Sequence, residues 1–426
     1  MLKDKVFAIV SLGCDKNRVD SEKMMGLIVS HGCRLTDDMT QADIIVVNTC
    51  AFLNSARKEA IETVLNCNAY RGGKLEKLVV TGCLPQKFVD ELYGQLTEAD
   101  VFLGINDYDK IFEALERSYA EADAQVNMVG CGNGQFEVER VQSTEEHYAY
   151  LKIADGCFNH CTYCLIPKIR GKYRSYPMER LIKEAEELGT LSELILVAQD
   201  VTRYGEDLYG ENKLVELLRK ISKLDNICHI RMLYCYPEAI SDELIAEIKD
   251  NPKILKYLDI PLQHSEDRIL KLMNRKGTRE SYLRLFEKLR REIPEICIRS
   301  TFIAGFPSET EEEHENMKAF LAEAQLENCG FFAYSKEPDT PAAKMKGQIP
   351  AAVKNKRVKA LYKAQAAVSA EKLKKVVGTT VRVVCDGIDY ERECFVGRTY
   401  KNAPDIDGKV YFHAMQAVQG EEYDVK

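Results

Sequence analysis

The sequence predicts an α/β protein built in three parts: an open parallel α/β sheet, a partial (β/α)6 barrel and a small C-terminal β-barrel. From the N-terminus to Ser335, short apolar runs alternate with helical patterns. Continuous apolar runs of this kind are typical of parallel strands that are buried on both faces. After a long helical stretch, the residues beyond Gly378 change to short strands separated by turn residues.

The length predicts more than one domain, because 426 residues exceed the usual size of a single hydrophobic core. The predicted parts, in chain order, are an N-terminal domain over 1–135, a linker over 136–147, the barrel over 148–350, a connecting helix over 351–376 and the small β-barrel over 377–426. The chain stops soon after the last predicted strand, so we expect a few C-terminal residues to be missing.

Composition and charge narrow the class of protein. No apolar stretch approaches the roughly 20 residues that span a bilayer, and the opening MLKDKVFAIVSLGC predicts a first strand, not a signal peptide. We therefore expect a cytoplasmic protein without a membrane partner. The net charge of −8 gives no general attraction to nucleic acid. Fifteen cysteines, in a compartment where disulfides are rare, indicate metal or redox chemistry.

The N-terminal domain is predicted to alternate strands with helices. The strands are expected at Lys5–Ser11, Asp43–Asn48, Lys77–Thr81 and Asp100–Gly104, and the helices at Asp20–His31, Asn54–Leu65 and Gln86–Tyr93. The first three strands each lead into a cysteine, in the stretches SLGC, VNTC and VTGC. Because parallel sheets bind ligands at the carboxyl ends of their strands, we expect Cys14, Cys50 and Cys83 to converge on one edge.

The alternative for these three cysteines is that they are unrelated buried thiols that happen to follow strands. Cys33, Cys67 and Cys131 lie in helical or loop positions, and each is interpreted either as a small hydrophobic side chain or as a solvent-exposed thiol. No glycine-rich nucleotide motif accompanies the strand ends, so a nucleotide role for this domain is weakly supported.

The middle of the chain predicts the partial barrel. Its six strands are expected at Tyr148–Ala154, Glu193–Ala198, Ile230–Leu233, Tyr257–Ile260, Ile296–Phe302 and Gly330–Tyr334. In barrels of this kind the chemistry lies at the C-terminal ends of the strands. Cys228, Cys235, Cys297 and Cys329 lie in or beside strands and are interpreted as packing residues.

Three cysteines follow the first barrel strand in the stretch ADGCFNHCTYCLIP. Cys157, Cys161 and Cys164 have the spacing C-x3-C-x2-C, and the next cysteine is far along the chain. A structural zinc site needs four ligands, whereas three thiolates on a [4Fe–4S] cluster leave one iron open to a small molecule. The spacing is the signature of radical S-adenosylmethionine (SAM) enzymes, and Tyr163 supplies their usual aromatic residue. Zinc is the alternative metal.

Polar residues after other barrel strands are predicted to form the SAM pocket. Gln199 and Asp200 end the stretch LVAQD, where such enzymes contact the methionine amino group, and Gln263 in DIPLQH is placed to reach the ribose. Arg299, Thr301 and Gly305 follow in RSTFIAGFP, where glycine allows close backbone approach to a ligand. The alternative for each polar residue is a hydrogen-bonded core group.

The C-terminal part begins with a basic helix, Pro350–Val376, which is predicted to leave the barrel. The small β-barrel after it carries six Lys or Arg against nine Asp or Glu. Small barrels often bind RNA, but an acidic one suits a basic protein better than a phosphate backbone. The alternative is that the carboxylates only keep the surface soluble. Cys385 and Cys394 are predicted to be buried.

Several motifs together resemble the methylthiotransferase family over the full chain. The motifs are SLGCDKNRVDSE, VNTCAFLNSARKEAI, VTGCLPQ and IADGCFNHCTYCLIPKIRGKYRS. The resemblance implies an N-terminal cluster domain, a radical SAM barrel and a C-terminal TRAM barrel. It also implies a second [4Fe–4S] cluster on Cys14, Cys50 and Cys83. Two SAM molecules would be used per turnover, one to methylate sulfur and one to form the radical that activates the substrate carbon.

Within the family, SLGCDKN, RGKYRS, YLDIPLQH, FFAYSKEPDTPAA and APDIDG look like the branch that modifies the β-carbon of an aspartate in a small-subunit ribosomal protein. Asp15 stands where that branch usually has proline. This difference leaves the neighbouring cluster ligand, Cys14, unchanged. The implied partners are that protein, free or on the ribosome, a flavodoxin-like or other reductant, and RNA contacted through the TRAM barrel. The alternatives are the tRNA-modifying branch and a non-enzymatic RNA- or ribosome-binding module with redox-sensing clusters.

Overall fold

The computed structural model describes residues 2–121, 124–132, 134 and 138–426. The chain forms two compact units. The first contains the residues up to 143 together with 156–158 and 164–172, and the second contains 144–155, 159–163 and 173–426. Residues 135–137, at the predicted boundary between the N-terminal domain and the linker, lie outside the described residues. No helix in the described ranges is both long and apolar enough to cross a membrane.

The first unit is built on a six-stranded parallel sheet with the order β2-β1-β3-β4-β5-β6. Its strands are β1 Val6–Ser11, β2 Arg34–Leu35, β3 Ile44–Thr49, β4 Lys77–Gly82, β5 Val101–Phe102 and β6 Val126–Asn127. Its helices are α1 Asp15–Ser30, α2 Asn54–Asn68, α3 Cys83–Leu92 and α4 Ile111–Ala120, and α5 Ile166–Ile169 also belongs to this unit. The predicted parallel α/β sheet is confirmed.

The apolar runs explain the centre of this sheet. Val46, Val47, Val79 and Val80 on β3 and β4 are fully buried, as expected for strands covered on both faces. The short edge strands β2 and β6 were not predicted, because two-residue strands carry no periodic pattern. Helix α4 was also not predicted. Helices α1 and α3 begin several residues earlier than predicted: α1 begins directly after Cys14, and α3 begins at Cys83 itself.

The second unit contains a six-stranded parallel sheet with the order β14-β13-β12-β11-β10-β7, which confirms the predicted partial barrel. Its strands are β7 Tyr148–Lys152, β10 Leu191–Val197, β11 Ile227–Met232, β12 Ile254–Asp259, β13 Cys297–Ala304 and β14 Asn328–Ala333. A two-stranded pair, β8 Ala154–Asp155 and β9 Arg174–Ser175, accompanies it. The helices are α6 Met178–Glu187, α7 Leu214–Ile221, α8 Asp242–Asp250, α9 Asp267–Leu272, α10 Arg279–Glu292, α11 Glu311–Ala324 and α12 Ala351–Lys374.

The two faces of the barrel sheet differ in polarity. Leu194 on β10 pairs in register with residues of β7 and β11 and belongs to the apolar core. The neighbouring position Glu193 lies on the opposite face, since side chains alternate along a strand. Arg231 and Lys152 share that second face, and both are buried. The barrel interior is therefore lined by buried polar groups that need partners.

Helix α12 does not leave the barrel, so this prediction was wrong. Leu361 and Val368, seven residues apart on one helical face, are buried, and Leu361 joins the main core. Gln365 donates to the carbonyl oxygen of Leu326 at 2.9 Å. This apolar stripe is narrow and the helix is rich in lysine, so the sequence alone did not indicate the buried face.

The C-terminal sheet has four antiparallel strands in the order β17-β16-β15-β18. They are β15 Val381–Asp389, β16 Cys394–Arg398, β17 Val410–Phe412 and β18 Glu422–Val425. Cys385 and Cys394 are buried, as predicted. This sheet belongs to the same compact unit as the barrel.

Buried ion pairs connect the C-terminal sheet to the barrel interior. Glu193 lies between two arginines: Arg231 Nε is 2.5 Å from one carboxylate oxygen, and Arg398 Nη1 is 2.9 Å from the other. Asp407 accepts a hydrogen bond from Tyr257 at 2.6 Å and lies within the same unit. All of these charged groups are buried, so each depends on its partners to offset the loss of water.

Candidate active site

Three neighbouring strands of the first unit end beside one another and carry the predicted cysteines. β1 pairs with β3 at Ser11 and Asn48, and β3 pairs with β4 at Thr49 and Gly82. Cys14 caps the start of α1, Cys50 directly follows β3, and Cys83 opens α3. The predicted convergence of the three thiols on one sheet edge is confirmed.

Two glycines allow the chain to bring these cysteines together. Gly13 and Gly82 have φ values of +90° and +96°, a region that favours glycine. A Cβ on Gly13 would lie 2.6 Å from the Cβ of Cys50. A Cβ on Gly82 would lie 2.4 Å from the side-chain oxygen of Asn48. The glycine before each of two cysteines therefore serves the tight packing of this edge.

A buried arginine lies against the cysteine edge. Arg170, which follows α5, donates from Nη2 to Asn17 Oδ1 at 2.5 Å and to Cys83 Sγ at 3.6 Å. Its Nη1 is 3.4 Å from Asp20. Asn17 in turn donates to the carbonyl oxygen of Thr49 at 3.0 Å. Sequence reasoning missed both Asn17 and Arg170, although each lies inside a quoted motif.

Two thiols of this edge, Cys50 and Cys83, are held in an environment that disfavours the free thiolate. Burial raises the pKa of Cys83 to about 12, and the neighbouring Arg170 only partly opposes this. Burial also raises the pKa of Cys50. A metal that binds here must displace the thiol protons, so ligation would be coupled to proton release. Soft sulfur donors with a nearby cation suit an iron–sulfur cluster.

The C-x3-C-x2-C triplet lies on the loop between β8 and α5, and its three cysteines are partly buried. Gly156 precedes it with a φ of +76°, and a Cβ there would lie 2.1 Å from the carbonyl oxygen of Lys172. The backbone N–H of Cys157 donates to Gly171 at 3.2 Å. At the other end, Cys164 Sγ accepts from the N–H of Ile166 at 3.4 Å.

The middle of this loop is held by the segment after α9. Thr162 donates from its backbone N–H to Met273 at 3.1 Å and from its hydroxyl to Leu272 at 2.8 Å. Asn274 donates to the carbonyl oxygen of His160 at 2.9 Å. Tyr163 packs against a small apolar cluster that includes Met273. Hydrogen bonds on both sides of Cys161 thus fix its place in the second unit.

Gln199 and Asp200, which follow β10, differ in whether their side-chain oxygens have hydrogen-bond partners. Gln199 donates to Asp155 Oδ1 at 3.2 Å, while its buried Oε1 has no partner among the described residues. Asp200 accepts hydrogen bonds from Thr202 and Asn159, and burial raises its pKa. Gln199 therefore offers an open acceptor, whereas Asp200 is already bound within the protein.

Gln263, which lies beyond the end of β12, is close to Thr301 in the middle of β13. Gln263 has a φ of +75°, and its backbone N–H donates to the carbonyl oxygen of Thr301 at 2.8 Å. Arg299 bridges Asp259, at 2.8 Å, and Asp407, at 3.3 Å. Those two carboxylates give Arg299 a structural role, and its part in binding a cofactor stays a prediction.

Gly305 is in close contact with another side chain of the protein. Its φ is +75°, and a Cβ at this position would lie 2.2 Å from Cγ of Lys354. The same backbone N–H donates to Glu309 at 2.7 Å. The glycine is thus explained by the packing of α12, and its predicted approach to a ligand stays untested.

The remaining cysteines mostly match their predicted role as plain thiols. Cys33, Cys67, Cys235 and Cys297 are buried, and Cys329 packs beside the core. Cys131 is exposed, one of the two outcomes expected of it. Cys228 is also exposed, so its prediction as a packing residue was wrong. It lies at the start of β11, before the pairing with β12 begins.

Comparison with known proteins places the three parts of the chain in known families. Residues 6–104 match the family described as "Uncharacterized protein family UPF0004", residues 151–321 match the "Radical SAM superfamily", and residues 377–426 match a "TRAM domain". Among curated relatives, the "Ribosomal protein uS12 methylthiotransferase RimO" of Lachnoclostridium phytofermentans is 47% identical, over 98% of this chain and 96% of its own. The RimO of Clostridium botulinum is 46% identical, over 100% and 96%.

The chain belongs to the RimO methylthiotransferase family of radical SAM enzymes. The predicted resemblance is confirmed, including the branch, because these full-length relatives carry the name of a ribosomal-protein enzyme. The motifs that suggested the branch, among them APDIDG, lie within the aligned region, because the alignment with the Clostridium botulinum protein covers 100% of this chain.

Solved structures support the fold of this RimO family member. The radical SAM methyltransferase TsrM from Kitasatospora setae matches with a TM-score of 0.58 and 14% identity, over 80% of this chain and 77% of that one. The cobalamin-dependent SAM radical enzyme OxsB matches with a TM-score of 0.52 and 11% identity, over 86% and 56%. At such low identity these matches show the fold alone.

Proposed function

We propose that this chain is a radical SAM methylthiotransferase that adds a methylthio group to the β-carbon of an aspartate in ribosomal protein uS12. We place it in the cytoplasm, where that substrate is made. The observation that carries the proposal is the presence of two separate cysteine triplets. One lies on the loop after β8, and the other lies at three adjacent strand ends. The names of the full-length relatives support the choice of substrate.

The loop triplet fits a [4Fe–4S] cluster with an open iron. Cys157, Cys161 and Cys164 supply three thiolates, and the loop is fixed by hydrogen bonds on both sides of Cys161. Such a cluster would supply the electron for the reductive cleavage of bound SAM. Gln199 would accept a hydrogen bond from the SAM amino group through its open Oε1. Tyr163 would contact the bound SAM from the apolar side of the loop.

The proposed contacts of the SAM pocket extend to the neighbouring strands. Gln263, beyond the end of β12, lies beside Thr301 of β13, and their side chains would donate hydrogen bonds to ribose hydroxyls or accept hydrogen bonds from them. Asp200 orients Asn159 of the cysteine loop by accepting its hydrogen bond at 3.2 Å. We assign Arg299 and Gly305 supporting roles, since both are engaged with other residues of the chain.

The strand-end triplet fits a second [4Fe–4S] cluster on Cys14, Cys50 and Cys83. Among the residues that the structure describes, no three His, Cys, Asp or Glu side chains are grouped so as to bind one metal ion. A cluster suits wider spacing, because each thiolate binds a different iron. Arg170 would hold its guanidinium charge beside Cys83 and so offset the negative charge of bound thiolates.

The acidic C-terminal sheet supports a basic protein partner. Residues 377–426, which include this sheet, carry nine carboxylates against six cations, and this net negative charge is expected to repel a phosphate backbone and to attract a basic ribosomal protein. The match to a TRAM domain also supports a contact with RNA when the substrate is on the ribosome. The reaction further needs an electron donor of the flavodoxin or a similar class.

We expect the variant Cys50→Ala to cleave SAM but to form no methylthio product. The alanine removes one ligand of the strand-end site, while the loop triplet stays intact. The measurement is 5′-deoxyadenosine and methylthio product after anaerobic reconstitution, with iron per chain. Cys67→Ala is the control, because Cys67 is a buried thiol of the same unit that lies in α2, away from the strand ends. Full product formation by Cys50→Ala would refute a catalytic role for the strand-end site.

A further inference from the structure

Arg275 is a buried arginine that has no acidic side chain as its partner. It follows α9, and only 8% of its surface is exposed. Its Nη2 donates to the carbonyl oxygen of Pro261 at 2.7 Å, and its guanidinium lies 4.1 Å from the ring centre of Tyr236. Among the described residues no Asp or Glu forms an ion pair with it, and its Nε has no hydrogen-bond partner. A buried cation without an anion is costly.

The segment that carries Arg275 is the one that holds the cysteine loop. Leu272, Met273 and Asn274 contribute three hydrogen bonds to the residues on either side of Cys161. Asn274 has a φ of +58°, so the chain turns sharply just before Arg275. The segment that fixes the loop backbone therefore continues directly into the buried arginine.

Electrostatic coupling supports the closeness of Arg275 to the loop. Burial works to lower the pKa of Arg275, but Tyr163 and Cys161 outweigh it and raise the pKa above the usual value. Tyr282 interacts electrostatically with both Arg275 and Cys161. The side chains that interact with this arginine are thus a cysteine and tyrosines, and none of those named is a carboxylate.

We propose that Arg275 is a positioning residue that offsets the negative charge of the iron–sulfur cluster bound through Cys161. The proposal rests on the proposed function, because it needs a cluster at the loop triplet. Three thiolates give such a cluster a net negative charge, and reduction by one electron increases it. A fixed buried cation nearby favours the reduced form, so it makes the cluster easier to reduce.

The test is the reduction midpoint potential of the loop cluster in Arg275→Met and Arg275→Lys. The background carries Cys14→Ala, Cys50→Ala and Cys83→Ala, so that only one cluster is present. We expect a more negative midpoint potential in Arg275→Met and a nearly unchanged one in Arg275→Lys, which keeps the charge. Arg268→Met is the matched control, because Arg268 lies on α9 but is exposed and paired with Glu313.

A second readout uses the iron-free chain. There the buried cation has no anion to offset, so we expect iron-free Arg275→Met to unfold at a higher temperature than the iron-free parent. An unchanged potential in Arg275→Met would overturn the proposal. So would weaker SAM binding at constant potential, or an equal loss of iron from both Arg275 variants. Absence of product from the unmodified chain would instead count against the proposed function.

Discussion

Replacing Cys161 by alanine is expected to abolish the cleavage of SAM to 5′-deoxyadenosine. The loop triplet has only three thiolates, so losing one leaves the cluster without a stable site. The strand-end triplet uses separate residues, and iron bound there should remain. We therefore expect roughly half of the iron of the unmodified chain, with no SAM cleavage and no methylthio product.

The control for this variant is Cys235→Ala. Cys235 is a fully buried thiol in the same unit, beyond the end of β11, and burial raises its pKa strongly. Losing it creates a small cavity but removes no proposed ligand, so SAM cleavage should continue. Loss of all iron from Cys161→Ala, with the protein still folded, would contradict two independent sites.

Replacing Glu193 by glutamine is expected to destabilise the second unit strongly. The change leaves Arg231 and Arg398 buried side by side without the carboxylate that they share. Breaking a buried ion pair in this way costs about 3–5 kcal/mol of unfolding free energy. The measurement is the denaturant midpoint of the intact chain. Glu216→Gln is the control, because Glu216 makes only exposed pairs with Lys213 and Lys220 and should change stability by less than about 1 kcal/mol.

The same carboxylate predicts a pH dependence of stability. Burial works to raise the pKa of Glu193, but Arg231 and Arg398 outweigh it and hold the pKa at about 2, below the ordinary 4.5. Because the folded-state pKa is lowered, the stabilisation is complete above pH 4.5 and is lost as the pH falls toward 2. Glu193→Gln should flatten the stability profile in that range. A profile identical to that of the unmodified chain would contradict this role.

The parts of the site that could be predicted are those whose residues lie in short contiguous stretches of the sequence. The C-x3-C-x2-C spacing is local, and the convergence of Cys14, Cys50 and Cys83 follows from a general rule about parallel strand ends. The strands themselves could be predicted because β3 and β4 each contain a short continuous apolar run. Topology thus turned three distant cysteines into one predicted site.

The parts that escaped prediction depend on contacts between distant residues. Arg170 is 153 residues from Asn17 and 87 from Cys83 in sequence, and nothing local to the IPKIRG stretch specifies those partners. The docking of α12 depends on a narrow stripe around Leu361 in a helix rich in lysine. Two-residue strands such as β2 are set by the neighbours with which they pair. Tertiary context decided each of these features.

The most direct test of the central claim is to identify the modified substrate. The reconstituted, reduced chain is incubated with SAM and either purified small ribosomal subunits or tRNA, and both products are analysed by mass spectrometry. The account predicts the mass of an added methylthio group on an aspartate of uS12, and unmodified tRNA. A methylthio group on a tRNA adenosine, with uS12 unmodified, would contradict the proposed substrate and the role given to the acidic C-terminal sheet.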